Sequence, residues 1–350
     1  MSSNPFSGLA LVKLVDTWPY YQRNPAAYKT WMQDYYYFMI EGYPKPFGYM
    51  HRSILQGLNL SPNWQVNSER RLLTMVQARS FQERTQVMRD LLMQAVKEGA
   101  PTSPRKFYNE ALRVVSDGEH VLDTDRSGLD PFGVVSYSAH LIGFVNDKDE
   151  TKYWVPKRSA TKPTVPNKLD STVAGVIRSG ERPVDCMARK IAVEASIPKE
   201  YTTANIVACG TVSYQMSITS TGKPGCQHII SYLYEMEFDK DVIPQPGSDE
   251  VEKFTLMTLD DVKAALMEGE FVANRAMFSC GSLLVPRARM ASTPVSEAPP
   301  RFDGGILIQT LGGTEISSLD AVIEQDGSGL LLDDPVFGFP GGSLFPATVQ

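Results

Sequence analysis

Cysteine and histidine are both scarce, with four of each among 350 residues. The cysteines Cys186, Cys209, Cys226 and Cys280 include no Cys-x-x-Cys pair. Neither a zinc site nor a disulfide framework is therefore supported, and this usage fits a reducing compartment. His51, His120, His140 and His228 are each read as structural or surface residues before they are read as bases. Long basic blocks are missing, and the net charge of −6 argues against a general nucleic-acid binder. No run approaches the ~18 apolar residues of a membrane span. The start, "MSSNPFSGLALVKLVDTWPYY", lacks a basic n-region, and Lys13 breaks its apolar run, which makes a poor signal peptide. The expected location is the cytosol, with no membrane and no nucleic acid as partner.

What is present is a globular composition, with 42% hydrophobic and 21% charged residues. The length suits two domains, each with its own core. Aromatic residues crowd the first part. Trp18, Tyr20, Tyr21, Tyr28, Trp31, Tyr35, Tyr36, Tyr37 and Phe38 fall within one short stretch. They could stack on a flat ligand, but the favoured reading is the core of a small α+β domain. "SFQERTQVMRDLLMQAVKEGA" predicts a helix opened by a Ser80/Glu83 capping box and stopped by Gly99. Beyond about residue 141, apolar segments flank the turn "NDKDET" as in a hairpin. "CQHIISYLYEMEF" alternates through Ile230, Tyr232, Tyr234, Met236 and Phe238 as a strand does. "TLDDVKAALMEGEF" predicts a short helix, with Thr258 as N-cap and Gly269 past its end. Strands and helices alternate, so a mixed sheet between helices is expected. "RARMASTPVSEAPPRFDGG" reads as a linker, and the Gly-rich tail after it either docks or stays loose. No internal repeat is found.

One stretch has the outline of a site. In "GVIRSGERPVDCMARKIAVEASI" a glycine-bearing turn leads to Glu181, and Pro183 opens an amphipathic helix expected to end near Ile197. Val184, Met187, Ala188, Ile191 and Ala195 form its packing face. Positions 190, 193 and 194 share another face by helical spacing. Three carboxylates there would gather divalent cations, which prefer several charged oxygens. Lys190 and Val193 stand at two of those positions, leaving Glu194.

The pattern resembles the Nudix box, supplying Gly175, Glu181, Arg189, Ile191, Glu194 and Ile197 in register and departing at Lys190, Val193 and Ser196. The resemblance widens over roughly residues 8–285. "YWVPKRSATKPTVPNKLDSTVAG", "EGYPKPFGYM", "RKFYNEALRVV", "GTVSYQMSITSTGKPGCQHIISYLYEMEF", "PQPGSDEVEKFTLMTLDDV" and "EGEFVANRAMF" are similar to segments of the fungal and plant Nudix proteins related to thiamine pyrophosphokinase. That resemblance implies an α/β (α+β) fold, a Nudix α/β/α sandwich with a mixed sheet preceded by a smaller α+β domain. The implied divisions are 1–140, 141–287 and a linker and tail over 288–350. It also implies magnesium- or manganese-dependent cleavage of a diphosphate joined to an organic group, such as damaged thiamine diphosphate. By carry-over, Glu194 is a metal ligand, Arg189 orients carboxylates, Glu181 is the first glutamate of the box, and Glu250 or Glu252 supplies a later glutamate. Arg158 and Lys162 match basic positions that would contact an anionic substrate group. His228, on a strand of the implied domain, has the best claim of the histidines.

The departures decide between functions. Lys190 replaces an anion with a cation, and Val193 removes a second carboxylate. The multi-metal cluster is then not expected, and the cofactor is none or a weakly held Mg2+ or Mn2+ on Glu194 with Glu250 or Glu252. Spaced i,i+4, Lys190 and Glu194 are expected to pair. Three functions remain: a residual diphosphatase on thiamine-diphosphate-like substrates; a repurposed isomerase, cyclase or lyase acting on a small anionic or aromatic metabolite without metal; and a non-catalytic binding protein. The lost carboxylates count against the first. Retention of Arg158, Lys162, Arg189 and Glu194 counts against the third. The second is favoured, and it suits a specialised metabolism.

Overall fold

The structure, a computed structural model, describes residues 15–21, 23–147, 150–162, 164–218, 224–273, 307–310 and 315–317. The linker-like stretch after 288 and most of the tail lie outside the described residues, as do Cys280 and the tip of the "NDKDET" turn.

The N-terminal part builds a small sheet in the order β2-β1-β4-β3 from β1 (Tyr35–Ile40), β2 (Gly48–His51), β3 (Trp64–Asn67) and β4 (Leu72–Met75). β1 and β4 run parallel, and the outer pairs run antiparallel. The helix Phe81–Glu98 lays Met88, Leu91 and Leu92 into the same core as Phe38, Ile40, Leu73 and Met75. It begins and ends where its sequence signals place it. Ser80 and Glu83 form a reciprocal capping box, and Gly99 leaves the helix in the left-handed conformation at φ 65°. A two-stranded ribbon follows, β5 (Ala111–Ser116) and β6 (Glu119–Asp125).

The crowded aromatics are packed rather than open. Trp18, Tyr20, Tyr28, Met32 and Tyr35 cluster with Cys226. Trp18 meets Tyr35 edge-on at 5.0 Å, and the Tyr35 hydroxyl donates to the Gly225 carbonyl at 3.3 Å. These rings join the N-terminal part to the large sheet, which is the packing role expected of large aromatic area.

That sheet has the order β12-β8-β7-β11-β10-β13-β14, with β9 also paired to β7. Its members are β7 (Val135–Asp147), β8 (Glu150–Arg158), β9 (Val173–Val176), β10 (Ile206–Ser217), β11 (Cys226–Glu237), β12 (Val251–Thr258), β13 (Leu307–Thr310) and β14 (Glu315–Ser317). β7 and β11 are parallel and the other pairs antiparallel, so the sheet is mixed. Part of the tail is thus docked, since β13 pairs with β10.

Strand alternation sorts the two faces. Tyr137, Ala139 and Leu141 of β7 and Ile230, Tyr232, Tyr234 and Met236 of β11 pack against Met187, Ile191 and Ala195 of the helix Pro183–Glu194, hereafter the site helix. On the opposite face Val155 of β8 packs with Val262, Ala265 and Leu266 of the helix Leu259–Met267. The layers are helix, sheet, helix, the α/β arrangement expected. Thr258 caps that last helix as expected, with Asp261 closing the box. Among the described residues no helix is long and apolar enough to cross a membrane.

The site helix ends at Glu194, before the expected Ile197. The reason is local. Ala195 leaves helical geometry, and Ser196 takes the left-handed conformation at φ 57°. A non-glycine residue pays about 1–2 kcal/mol for that conformation.

Candidate functional site

The site helix has one wholly apolar face and one charged face that is largely covered. Pro183 starts it without needing a donor, and the carbonyl of Arg182 accepts from the Cys186 amide at 3.0 Å. The helix lies unusually close to β9. A β-carbon on Gly175 would fall 2.5 Å from Cγ of Lys190 and 3.1 Å from Sγ of Cys186. Glycine at 175 therefore lets the Lys190 stem lie on the strand, and the ammonium is carried on to Glu194.

Lys190 and Glu194 form the expected i,i+4 ion pair, with side chains 19% and 8% exposed. A second pair stands beside it: Lys162 Nζ meets Glu250 Oε2 at 2.7 Å. The four groups act on one another. Lys162 and Glu250 influence Glu194, and Lys190 influences Glu250. Burial pushes the Glu194 carboxyl above the ordinary glutamate range, although both lysines pull it down. Against its own burial, Glu250 is held below that range by Lys162. The chain after β11 is stitched to the end of the site helix to make this possible. Gln245 N–H donates to the Ala195 carbonyl at 3.0 Å and Gly247 N–H to the Glu194 carbonyl at 3.2 Å. A β-carbon on Gly247 would lie 2.4 Å from the Val193 carbonyl oxygen.

At the start of the helix the arrangement differs. Arg189 grips Glu181 with a fork, Nε to Oε1 at 2.7 Å and Nη2 to Oε2 at 2.8 Å. Against its burial, that fork and the Arg178 N–H hold Glu181 below the ordinary carboxylate range. Burial pushes the Cys186 thiol up to about 12, so it is a thiol at neutral pH and not a nucleophile.

The other expected residues divide. Arg158 is buried, and its guanidinium is spent on Asp170 at 2.6 Å and on the Val165 carbonyl at 2.8 Å, with Thr164 as a further partner. It pins the loop ahead of β9. Glu252 pairs with Lys157 at 2.9 Å along the β8–β12 edge. His228 sits on β11 opposite Gln215 and Val135, where burial pushes its pKa down to about 4. Val193 is half exposed.

The sequence reading missed the contribution of the β5–β6 ribbon. Ser179 N–H donates to the Ala111 carbonyl at 2.9 Å, and Arg178 Nε donates to Glu110 Oε1 at 3.0 Å. Arg113 donates to the Glu181 carbonyl and lies over the Tyr137 ring at 5.7 Å. Arg126 pairs with Glu110 at 3.3 Å and also influences Glu250. Contacts such as Arg113–Glu181, 68 residues apart, leave no periodic trace in a single sequence.

Residues 137–276 match the NUDIX domain model. Over those residues the chain is similar to the Nudix domain family. It is 26% identical over 286 residues to the Saccharomyces cerevisiae protein YJR142W, covering 78% of this chain and 82% of that one. It is 26% identical over 161 residues to Nudix hydrolase 24, chloroplastic, of Arabidopsis thaliana, covering 46% of this chain and 42% of the relative. The chain thus spans less than half of that plant protein. Among solved structures, DR0079 of Deinococcus radiodurans is similar at 20% identity and TM-score 0.33, covering 47% of this chain and 92% of that one.

Nudix proteins typically use Mg2+ or Mn2+, and the residues over 137–276 either fit such an ion or do not. Among the described residues no group of three or more His, Cys, Asp or Glu is placed to hold a metal ion. The reason is visible at each carboxylate. Glu194 is covered by the Lys190 ammonium, Glu250 is held by Lys162, and Glu181 is gripped by Arg189. A divalent cation near Glu194 would face two ammoniums. The donor set does not fit a divalent cluster.

Proposed function

We propose that this Nudix-fold protein is a cytoplasmic enzyme whose box has been rewritten, and that it performs metal-independent acid–base chemistry of the isomerase, cyclase or lyase type on a small anionic organic molecule. The observation that supports this is the covered Lys190–Glu194 pair coupled to Lys162–Glu250. A carboxylate whose pKa burial has raised is a stronger base than a solvated one. Glu194 would take a proton from the substrate, and the Lys190 ammonium would stabilise the oxyanion that develops. Lys162 would bind the anionic group. Arg189 and Glu181 hold the loop and helix in place from the other end. Changing Lys190→Ala or Glu194→Gln should each lower turnover of the native metabolite at least ~100-fold with the fold intact, as expected for loss of a general acid–base group. EDTA should leave the rate unchanged. Full activity in both variants would remove the assignment.

The runner-up is a magnesium-dependent diphosphatase on thiamine-diphosphate-like compounds, in line with the proposed kinship to thiamine pyrophosphokinase-related proteins. The Arg189–Glu181 fork and the similarity to a plant Nudix hydrolase favour it. Magnesium-dependent phosphate release from thiamine diphosphate, abolished by EDTA, would put this reading first.

A further inference from the structure

We propose that Lys162 and Lys190 together form a direct binding site for a phosphate-class anion, with their tethered ammoniums in the place of divalent cations. Added Mg2+ should therefore weaken anion binding here instead of promoting it.

The argument begins with donor capacity. An ammonium has more N–H donors than one carboxylate oxygen can take. Among the described residues, Lys190 has Glu194 as its side-chain partner and Lys162 has Glu250. Both lysine side chains are mostly covered, at 19% and 17% exposure, and each has donors beyond the one its carboxylate takes. An acceptor-rich anion would complete them.

The chemistry of the neighbouring cations narrows the class. Planar carboxylates are best matched by the guanidinium fork. The forks here are already taken, Arg189 by Glu181 and Arg158 by Asp170. What remains is a pair of point charges, which suits a tetrahedral polyanion better than a flat one.

The resting partners also differ in how readily they can be displaced. Glu194 is 8% exposed and anchored on the helix, whereas Glu250 is 45% exposed. The Glu250 side chain can turn to water while its carbonyl stays bound to Ser159 N–H at 3.0 Å. The anion would thus replace Glu250 on Lys162 and share Lys190 with Glu194.

The sign of the magnesium effect follows. In a carboxylate cluster the metal bridges protein and phosphate. Here the cations are built in, so Mg2+ free in solution binds the phosphate first and cancels the charge the lysines would recognise.

The test is calorimetric titration of the full chain with inorganic diphosphate, first in EDTA and then with Mg2+ in excess of the diphosphate. Binding is expected in EDTA, with affinity at least severalfold lower in Mg2+. Changing Lys162→Met and Lys190→Met together should lower the EDTA affinity at least about tenfold, the loss expected for a charged hydrogen bond. Glu250→Gln, which removes the displaceable carboxylate and leaves the helix untouched, should tighten binding. No binding in EDTA, binding that requires Mg2+, or unchanged affinity in the lysine variant would overturn the proposal. So would weaker binding in Glu250→Gln. The inference rests on the metal-independent reading but fails separately from it. Diphosphate binding without turnover of any metabolite would leave this site standing and remove the catalytic assignment. Turnover lost in Lys190→Ala, with no diphosphate binding, would do the reverse.

Discussion

The helices Phe81–Glu98 and Pro183–Glu194 are built by the same rule and used differently. Each lays an apolar stripe on a sheet. The outer face of the first is ordinary: Gln86 donates to Asp90 at 2.6 Å and Gln94 to Glu98 at 2.9 Å, both in solvent. On the second, Asp185 and Val193 reach solvent, but Arg189, Lys190 and Glu194 are mostly covered and paired. Buried charge by itself does not make a site. Arg84 on the first helix is also buried, but its guanidinium ends in the carbonyls of Val121 and Arg79, each at 2.9 Å. Arg84 donates at hydrogen-bond distance to fixed backbone, which neither titrates nor moves, and its carboxylate neighbour Glu119 stands farther off at 3.9 Å. Lys190 and Lys162 are held by carboxylates, which can take a proton or swing away. The second arrangement is the one with chemistry available to it.

The inner faces should behave alike, and this is where the largest effect lies. Leu92→Ala and Ile191→Ala each remove a fully buried branched side chain and should each cost about 2–5 kcal/mol in denaturant unfolding. A cost below about 1 kcal/mol for Ile191→Ala would mean that the site helix is not held by its apolar stripe.

The outer faces should diverge. Lys190→Met leaves Glu194 buried without its partner and should cost about 1–3 kcal/mol. Asp90→Asn on the exposed face of the other helix should stay within about 0.5 kcal/mol. Equal costs would erase the distinction drawn between the two faces.

The ends of the site helix should differ in the sign of their pH dependence. Glu194 has a folded pKa above the ordinary value, so between the two values the folded state holds more protons than the unfolded chain. Its contribution to stability falls as pH rises from the ordinary glutamate range to the raised value. Glu181 is shifted the other way, so its contribution is present above the ordinary range and is lost as pH falls through the lowered value. Unfolding curves across the acid range should show Glu194→Gln gaining on the wild type as pH rises, and Glu181→Gln losing ground. Slopes of the same sign would contradict the burial assigned to Glu194.

The smallest effect concerns the helix stop. Ser196 holds φ 57°, a conformation glycine adopts freely. Ser196→Gly should raise stability by about 0.5–1 kcal/mol once the greater freedom of glycine in the unfolded chain is offset. A loss would show that the Ser196 hydroxyl, packed near Gly247, matters more than its backbone.

Local and periodic features were legible in the sequence. The capping box at Ser80 and Glu83, the stop at Gly99, the alternation through β11 and the inner stripe of the site helix each depend on residues a few positions apart. The Lys190–Glu194 pair belongs with them, because helical spacing alone puts those groups together. Only the tertiary structure decided the rest. It brought Glu250 onto Lys162, 88 residues away, by stitching the chain after β11 to the end of the site helix. It spent Arg158 on Asp170 and sent Glu252 to the sheet edge with Lys157. It also set Glu110, Arg113 and Arg126 of the β5–β6 region around the loop that carries Glu181. The physical reason is the range of the forces involved. Backbone sterics and helical period act over a few residues and are written in the order of the chain. The desolvation of Glu194 and the choice of partner for each lysine depend on which distant segments close over them, and no single stretch of sequence contains that information.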